Sequence, residues 1–368
     1  MMGTTLQLDG APLSQFELAK GLIASGFRVS VFVKEDGPLR ERYEAHAIPV
    51  AAMPELACSA AVPAWYETDV ATLAGQLRQG APDLVLASTI DAFEAIDAAR
   101  LAGIASIWNI REGEVWRERL ADRHTAIAAR ALAALSYPAA VIFVAVASMK
   151  SWESFIQPDR RHLIYNATSV RADARSEENK QATRARLGMA PDEWMAVSVG
   201  TLCERKSQVD FARALADTPD AIRPVFVGMT EPGYREKVEA ALGEARRRAI
   251  FTSVVPDATD LIASADALVC SSRFEAFPRT LLEAAAAQTP IIATSLAGTQ
   301  ERLTDGESAL LYPPGDIASL SAQLKRLASD RDLGARLAKA AHEKLTQTWS
   351  HANMIAAYAD LIRKALAT

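Results

Sequence analysis

The sequence predicts an α/β chain made of two doubly wound parallel-sheet domains, and three observations carry that expectation. At 368 residues the chain exceeds what one ordinary hydrophobic core serves, so it divides. Half of its residues are hydrophobic and 23% are charged, the balance of a globular α/β protein. Short apolar runs alternate with helical stretches along most of the length, the pattern of parallel strands covered by helices.

Candidate strands of the first half lie at 28–33, 48–52, 83–87, 105–109, 141–146 and 162–165. The apolar run 139–147 that contains one of them is too short to span a bilayer and suits a strand buried on both faces. A second series lies at 195–199, 224–227, 250–254, 267–270 and 290–293. Between the two, residues 167–190 are polar and charged, and read as a linker leading into a helix. The expected division is therefore a Rossmann-like N-terminal domain 1–166, a linker 167–190, a Rossmann-like C-terminal domain 191–350 and a last helix, 351–368. Residues 1–8 (Met-Met-Gly-Thr-Thr-Leu-Gln-Leu) read as too polar and too few for a central parallel strand. The first strand is thus expected to be truncated from a longer chain.

Composition excludes several function classes. A net charge of −5 gives no electrostatic footprint for nucleic acid, and Arg246-Arg247-Arg248 reads as a solvated helix face. Cys58, Cys203 and Cys270 lack metal-ligand spacing, which points to reduced thiols and the cytoplasm; peripheral contact with the inner membrane face is compatible with this sequence. No signal peptide is visible. The five histidines are scattered, and the Asp330-Arg331-Asp332 string suits a helix cap better than a cation. No metal is expected.

The chemistry-bearing stretch is 272–286, where Glu275 and Glu283 stand eight positions apart. On an ordinary helix such a pair is two solvated charges. Here a buried strand precedes it and Pro278 suits a first helical turn, so Glu275 sits in the loop and Glu283 about 7–8 Å along the axis. The free N–H groups between them form an anion site. Two hydroxyl-binding carboxylates around an anion site suit a nucleotide-sugar. Gly200 and Thr201, Gly228, Glu275 and Gly298 each follow a predicted strand of the second series, so all fall at the C-terminal end of one sheet, where such folds bind ligands. Arg205 and Lys206 follow the first of these strands and offer a planar fork and a point charge to a diphosphate.

These pieces resemble the donor domain of a family 4 retaining glycosyltransferase with the GT-B fold, two Rossmann-like domains facing a central cleft. The match runs through residues 199–208 (Val-Gly-Thr-Leu-Cys-Glu-Arg-Lys-Ser-Gln), 225–228 (Val-Phe-Val-Gly), 275–284 (Glu-Ala-Phe-Pro-Arg-Thr-Leu-Leu-Glu-Ala), 298–301 (Gly-Thr-Gln-Glu) and 305–316. The first half resembles the family more loosely, at residues 9–14, 83–89, 107–112 and 164–167. The resemblance implies transfer of a sugar with retention, from a UDP- or GDP-sugar to a glycan, lipid-linked or small hydroxylated acceptor, with no further cofactor, in cell-surface polysaccharide or glycoconjugate biosynthesis. It assigns the leaving diphosphate to Lys206 and Arg205, sugar hydroxyls to Glu275 and ribose to Glu283. Gly200, Thr201, Gly228, Ala276, Phe277, Pro278 and Arg279 become donor-binding positions, Val254 borders the base, and Gly10 and Ala11 meet the donor from across the cleft. Arg111, Glu112 and Asn166 lie on the acceptor side.

The chain departs from the family pattern in places. Thr201 stands where many relatives carry a phosphate-binding arginine, and Arg111 where many carry histidine. Ala276, Pro278, Ser207, Ala167 and Gln288 stand at positions where glycine is frequent. Two other readings remain: a non-catalytic partner with the same fold, and a nucleotide-sugar epimerase on it. Oligomeric state is not legible in the sequence.

Overall fold

The computed structural model describes residues 1–53, 63–113, 116–168, 172–190, 192–253, 255, 258–347 and 349–367. The chain forms two compact units, Met1–Asn166 with Ala352–Thr368, and Ala167–His351.

The first unit holds a seven-stranded sheet of β1 (Met2–Thr5), β2 (Val31–Glu35), β3 (Val50–Ala52), β4 (Leu84–Ser88), β5 (Ala105–Ile110), β6 (Ala140–Phe143) and β7 (Arg161–Leu163). Their order is β3-β2-β1-β4-β5-β6-β7, with parallel pairing throughout. The expectation that residues 1–8 cannot form a central strand is corrected: β1 lies between β2 and β4. Four residues suffice because the strand is paired on both sides. Its polarity is also accommodated. Met2 and Leu6 are each 1% exposed, the Thr5 hydroxyl accepts the Gln7 N–H at 3.1 Å, and a Cβ on Gly3 would stand 2.4 Å from Oε1 of Gln15. Glycine there leaves room for the buried Gln15 side chain of the helix Gly10–Ala24.

Helices of this unit follow local rules. Phe93–Ala102 stops at Gly103, whose φ of 71° is the left-handed cap that L side chains resist. The last helix, His351–Ala367, packs beside Gly10–Ala24: a Cβ on Gly21 would meet Cδ1 of Ile355 at 2.3 Å, and the Arg363 guanidinium lies 5.3 Å from the centre of the Phe27 ring.

The second unit holds six parallel strands, β8 (Trp194–Val199), β9 (Ile222–Val227), β10 (Ile250–Thr252), β11 (Ala267–Cys270), β12 (Ile291–Thr294) and β13 (Leu310–Tyr312), in the order β10-β9-β8-β11-β12-β13. The sequence reading missed β13. Alternate residues feed opposite cores: Met195, Val197 and Leu268 join one cluster, and Ala196, Val269 and Ile292 the other. Both faces are therefore covered, as parallel sheets require.

The stretch expected as a linker is folded into this unit. Ser176 caps the helix Glu177–Arg186 by accepting the Asn179 N–H at 3.1 Å. Arg184, 8% exposed, donates to the Ser264 carbonyl at 3.2 Å and to Asp266 Oδ2 at 3.1 Å. Its charge makes the segment look solvated in sequence, yet these acceptors bury it. Among the described residues no helix is long and apolar enough to cross a membrane.

Candidate functional site

The strand order of the second sheet reverses between β8 and β11, which are adjacent. Such a switch point opens a crevice beyond the C-terminal strand ends. The loop leaving β8 carries Gly200, Thr201, Arg205 and Lys206, and the loop leaving β11 carries Glu275.

Close backbone packing builds the floor of this crevice. Gly200 and Gly228 have φ of 138° and 146°, and a Cβ on Gly228 would come within 2.2 Å of the Gly200 carbonyl oxygen. A Cβ on Gly298 would stand 1.6 Å from the carbonyl oxygen of Ala276. The loops after β8, β9, β11 and β12 thus touch through backbone, which only glycine permits. Gln208, 2% exposed, stitches the first of them. Its Nε2 donates to the Thr201 carbonyl at 3.0 Å and its Oε1 accepts the Cys203 N–H at 3.3 Å.

Three charged side chains converge there. Lys206 Nζ lies 2.6 Å from Glu275 Oε1, and Arg205 Nη1 donates to the same oxygen. The side chains of Lys206 and Glu275 are 17% and 14% exposed. Burial works against ionisation of this carboxyl, but the charges of Lys206 and Arg205, and then their hydrogen bonds, outweigh it and hold Glu275 below its ordinary range. Two cations on one carboxylate leave a net positive charge, which suits a diphosphate.

Pro278 stands at the N-cap of the helix Arg279–Ala286 rather than in its first turn, so the helix begins one position later than expected. Phe277, 5% exposed, is fixed under the Arg302 guanidinium, 4.8 Å from its ring centre. Glu283 sits one turn into the helix and accepts from Arg279 Nε at 2.7 Å. Arg279 also reaches the Thr168 hydroxyl at 3.4 Å. Val254 lies outside the described residues. Asp330 caps the helix Arg331–His342 by accepting the Leu333 N–H at 2.8 Å. Among the described residues no three His, Cys, Asp or Glu side chains cluster as metal ligands do.

The first unit carries its own candidates. Gly10 and Ala11 form the first turn of the helix that follows β1, and β1 borders the switch point of that sheet. Arg111 donates to Asn166 Oδ1 at 3.0 Å. Glu112 accepts the Arg111 backbone N–H at 2.9 Å. Burial, then the neighbouring Asp91 carboxylate, pushes the Glu112 carboxyl up to about 7, against the hydrogen bonds from Arg111 and Ile90 and the charge of Arg119. Thr89, at the end of β4, has φ of 73°, a strained conformation for a β-branched residue.

Sequence reasoning missed Arg273 and Asp210. Arg273 stands two positions before Glu275, and its guanidinium reaches Asp210 Oδ2 at 2.7 Å and Ser207 Oγ at 3.2 Å. Asp210 three positions after Ser207 is a capping spacing that could have found half of this network.

Residues 179–344 match the model of the family "Glycosyl transferases group 1". The chain is 28% identical over 179 residues to the lipopolysaccharide core biosynthesis glycosyltransferase LpsE of Rhizobium meliloti (strain 1021), covering 49% of this chain and 52% of that one. It is 30% identical over 209 residues to a D-inositol 3-phosphate glycosyltransferase of Streptomyces bingchenggensis (strain BCW-1), covering 52% and 45%. The chain spans about half the length of these curated relatives. Its structure resembles that of Anabaena Alr3699/HepE in complex with UDP-glucose, with a TM-score of 0.83, 20% identity and 99% of each chain covered. At that identity the likeness establishes the fold, the two parallel-sheet domains of GT-B.

Proposed function

We propose, from the match of residues 179–344 to the model of the group 1 glycosyl transferases, that the chain moves a sugar from a nucleotide-sugar, UDP- or GDP-linked, to a hydroxylated acceptor. The observation that carries this reading is the meeting of Glu275, Lys206 and Arg205 at the switch point of the second sheet. Departure of a nucleoside diphosphate develops negative charge on its terminal phosphate. Lys206 and Arg205, held before the reaction begins, stabilise that charge without reorganisation. Donor binding draws the two cations onto phosphate and frees Glu275 to accept hydrogen bonds from sugar hydroxyls. Glu283, oriented by Arg279, takes the ribose hydroxyls, and the Ala276–Phe277–Pro278 stretch brings the diphosphate to the start of its helix.

Transfer with retention fits this arrangement, because no second carboxylate is needed to activate the acceptor if the departing phosphate takes its proton. The acceptor is a glycan, a lipid-linked sugar or a small hydroxylated molecule, taken by the first unit with Arg111, Glu112 and Asn166 as candidate contacts. No metal or organic cofactor is needed, since the two cations do the neutralising. LpsE, a lipopolysaccharide core biosynthesis enzyme, and HepE, which binds UDP-glucose, support a role in cell-surface glycan assembly.

The test is a titration with UDP, GDP, ADP and their sugars, followed by NMR of the products. Released nucleotide together with a glycoside that keeps the donor's anomeric configuration is the expected result. Lys206→Ala is expected to lower turnover more than about tenfold, its charge acting in the transition state. A new free sugar isomer would replace this reading with an epimerase, and absence of nucleotide binding would make the chain a non-catalytic partner.

A further inference from the structure

Resting on the transfer reading above, we propose that Arg273 is a positioning residue for group transfer, clamping the loop of Arg205 and Lys206 to the loop of Glu275. The tie is continuous along both segments. Ser271 Oγ donates to the Lys206 carbonyl at 2.9 Å, and the Arg273 backbone N–H donates to the Arg205 carbonyl at 2.8 Å. The Arg273 side chain then crosses to Ser207 Oγ at 3.2 Å and Asp210 Oδ2 at 2.7 Å. Ser207 closes the triangle by donating to the same Asp210 oxygen at 2.9 Å.

What the clamp holds is strained. Ser207, directly after Lys206, has φ of 49°, a left-handed conformation that L side chains resist. Such a conformation persists only where its surroundings over-determine it. Here Asp210, with its side chain 3% exposed, and the forked guanidinium fix the serine hydroxyl from two sides. Gly315 makes room for that fork: with φ of 82°, it would bring a Cβ to 3.2 Å from Arg273 Nη1. The backbone turn at Ser207 sets the direction in which the preceding side chain, Lys206, leaves the loop.

The Arg273 guanidinium is turned to Ser207 and Asp210 rather than to Glu275. It borders a groove of about 690 Å³ with Ser207, Asp210, Arg213 and Lys237, a lining that excludes Lys206 and Glu275. Its influence on transfer therefore runs through the loops. A lysine replaces it only in part, because a point charge does not bridge a hydroxyl and a carboxylate as a planar fork does.

The test is a double-mutant cycle of Arg273→Met with Lys206→Ala, scored by kcat, donor KM, nucleoside-diphosphate affinity and melting temperature. Arg273→Met is expected to lower kcat about tenfold or more, since small misplacement of a reacting group is costly, with donor KM within about threefold. Arg273→Lys recovers part of the loss. In the Lys206→Ala background Arg273→Met costs no more than about twofold further, because residues acting through one another are not additive. Multiplicative losses, a wild-type kcat for Arg273→Met, or a fall in nucleotide affinity that survives in the Lys206→Ala background would overturn the proposal. If Arg273→Met does not fold, the same cycle run with Arg273→Lys decides. A wild-type protein that binds no nucleoside diphosphate overturns the transfer reading itself, and the clamp's role falls with it.

Discussion

A single methyl group at position 298 tests the packing that supports Glu275. In Gly298→Ala the new Cβ would stand 1.6 Å from the Ala276 carbonyl oxygen, so the backbone on one side must retreat by about 2 Å to restore ordinary contact. Neither partner is the tip of a flexible side chain, and Ala276 is bonded directly to Glu275. Overpacking of this kind costs about 1–3 kcal/mol, which lowers the melting temperature of a domain of this size by about 2–4 °C per kcal/mol. Misplacement by about 1 Å beside the reacting centre costs on the order of a hundredfold in rate. Thermal melting with and without nucleotide, together with steady-state kinetics, reads both effects. Gly75→Ala is the control: its Cβ meets nothing within 4 Å in the helix Pro63–Gly80, so a gain of roughly 0.5–1 kcal/mol is expected. Wild-type melting and wild-type kcat/KM for Gly298→Ala would refute the argument.

Other outcomes follow from the charges. Glu275 has a folded pKa below its ordinary 4.5, so its contribution to stability is present above that value and lost as pH falls through the folded one; denaturation curves of wild type and Glu275→Gln should converge below pH 4.5, and a constant gap would refute the assignment. Glu112 behaves oppositely. Its carboxyl rises from 4.5 to about 7 in the folded protein, so the folded state holds the extra proton and wild-type stability falls with rising pH across that window. Glu112→Gln should therefore gain on wild type between pH 4.5 and 7 and no further above it, as urea titrations at stepped pH would show. Arg184→Ala should destabilise the second unit by about 2–4 kcal/mol, because it strips the partner from buried acceptors. Nucleotide affinity, read by titration calorimetry, should stay unchanged in that variant.

The parallel strands were legible where apolar runs were long, and β11 matches its expected bounds of 267–270. β13 escaped because three residues, Leu310–Tyr312, are too few to show a period. β1 escaped for a different reason. A central strand is normally apolar, whereas Gly3 leaves room for the Gln15 side chain and the Thr5 hydroxyl caps its own strand end. At the site, Glu275, Lys206 and Arg205 could be named from strand-end placement. Their mutual pairing could not, since the partners stand about seventy positions apart. Arg273 and Asp210 were hidden by the same separation, 63 positions. The spacing of Ser207 and Asp210 shows their local pair, but not the guanidinium that is brought to it.

The contact between Gly200 and Gly228 reaches beyond ligand clearance. After β8 and β9 end, their chains stay joined: Leu202 donates its N–H to Met229 and accepts that of Glu231. The two connections therefore behave as one stiff plate. Displacing one displaces the other, and lengthening either by insertion would break the seam.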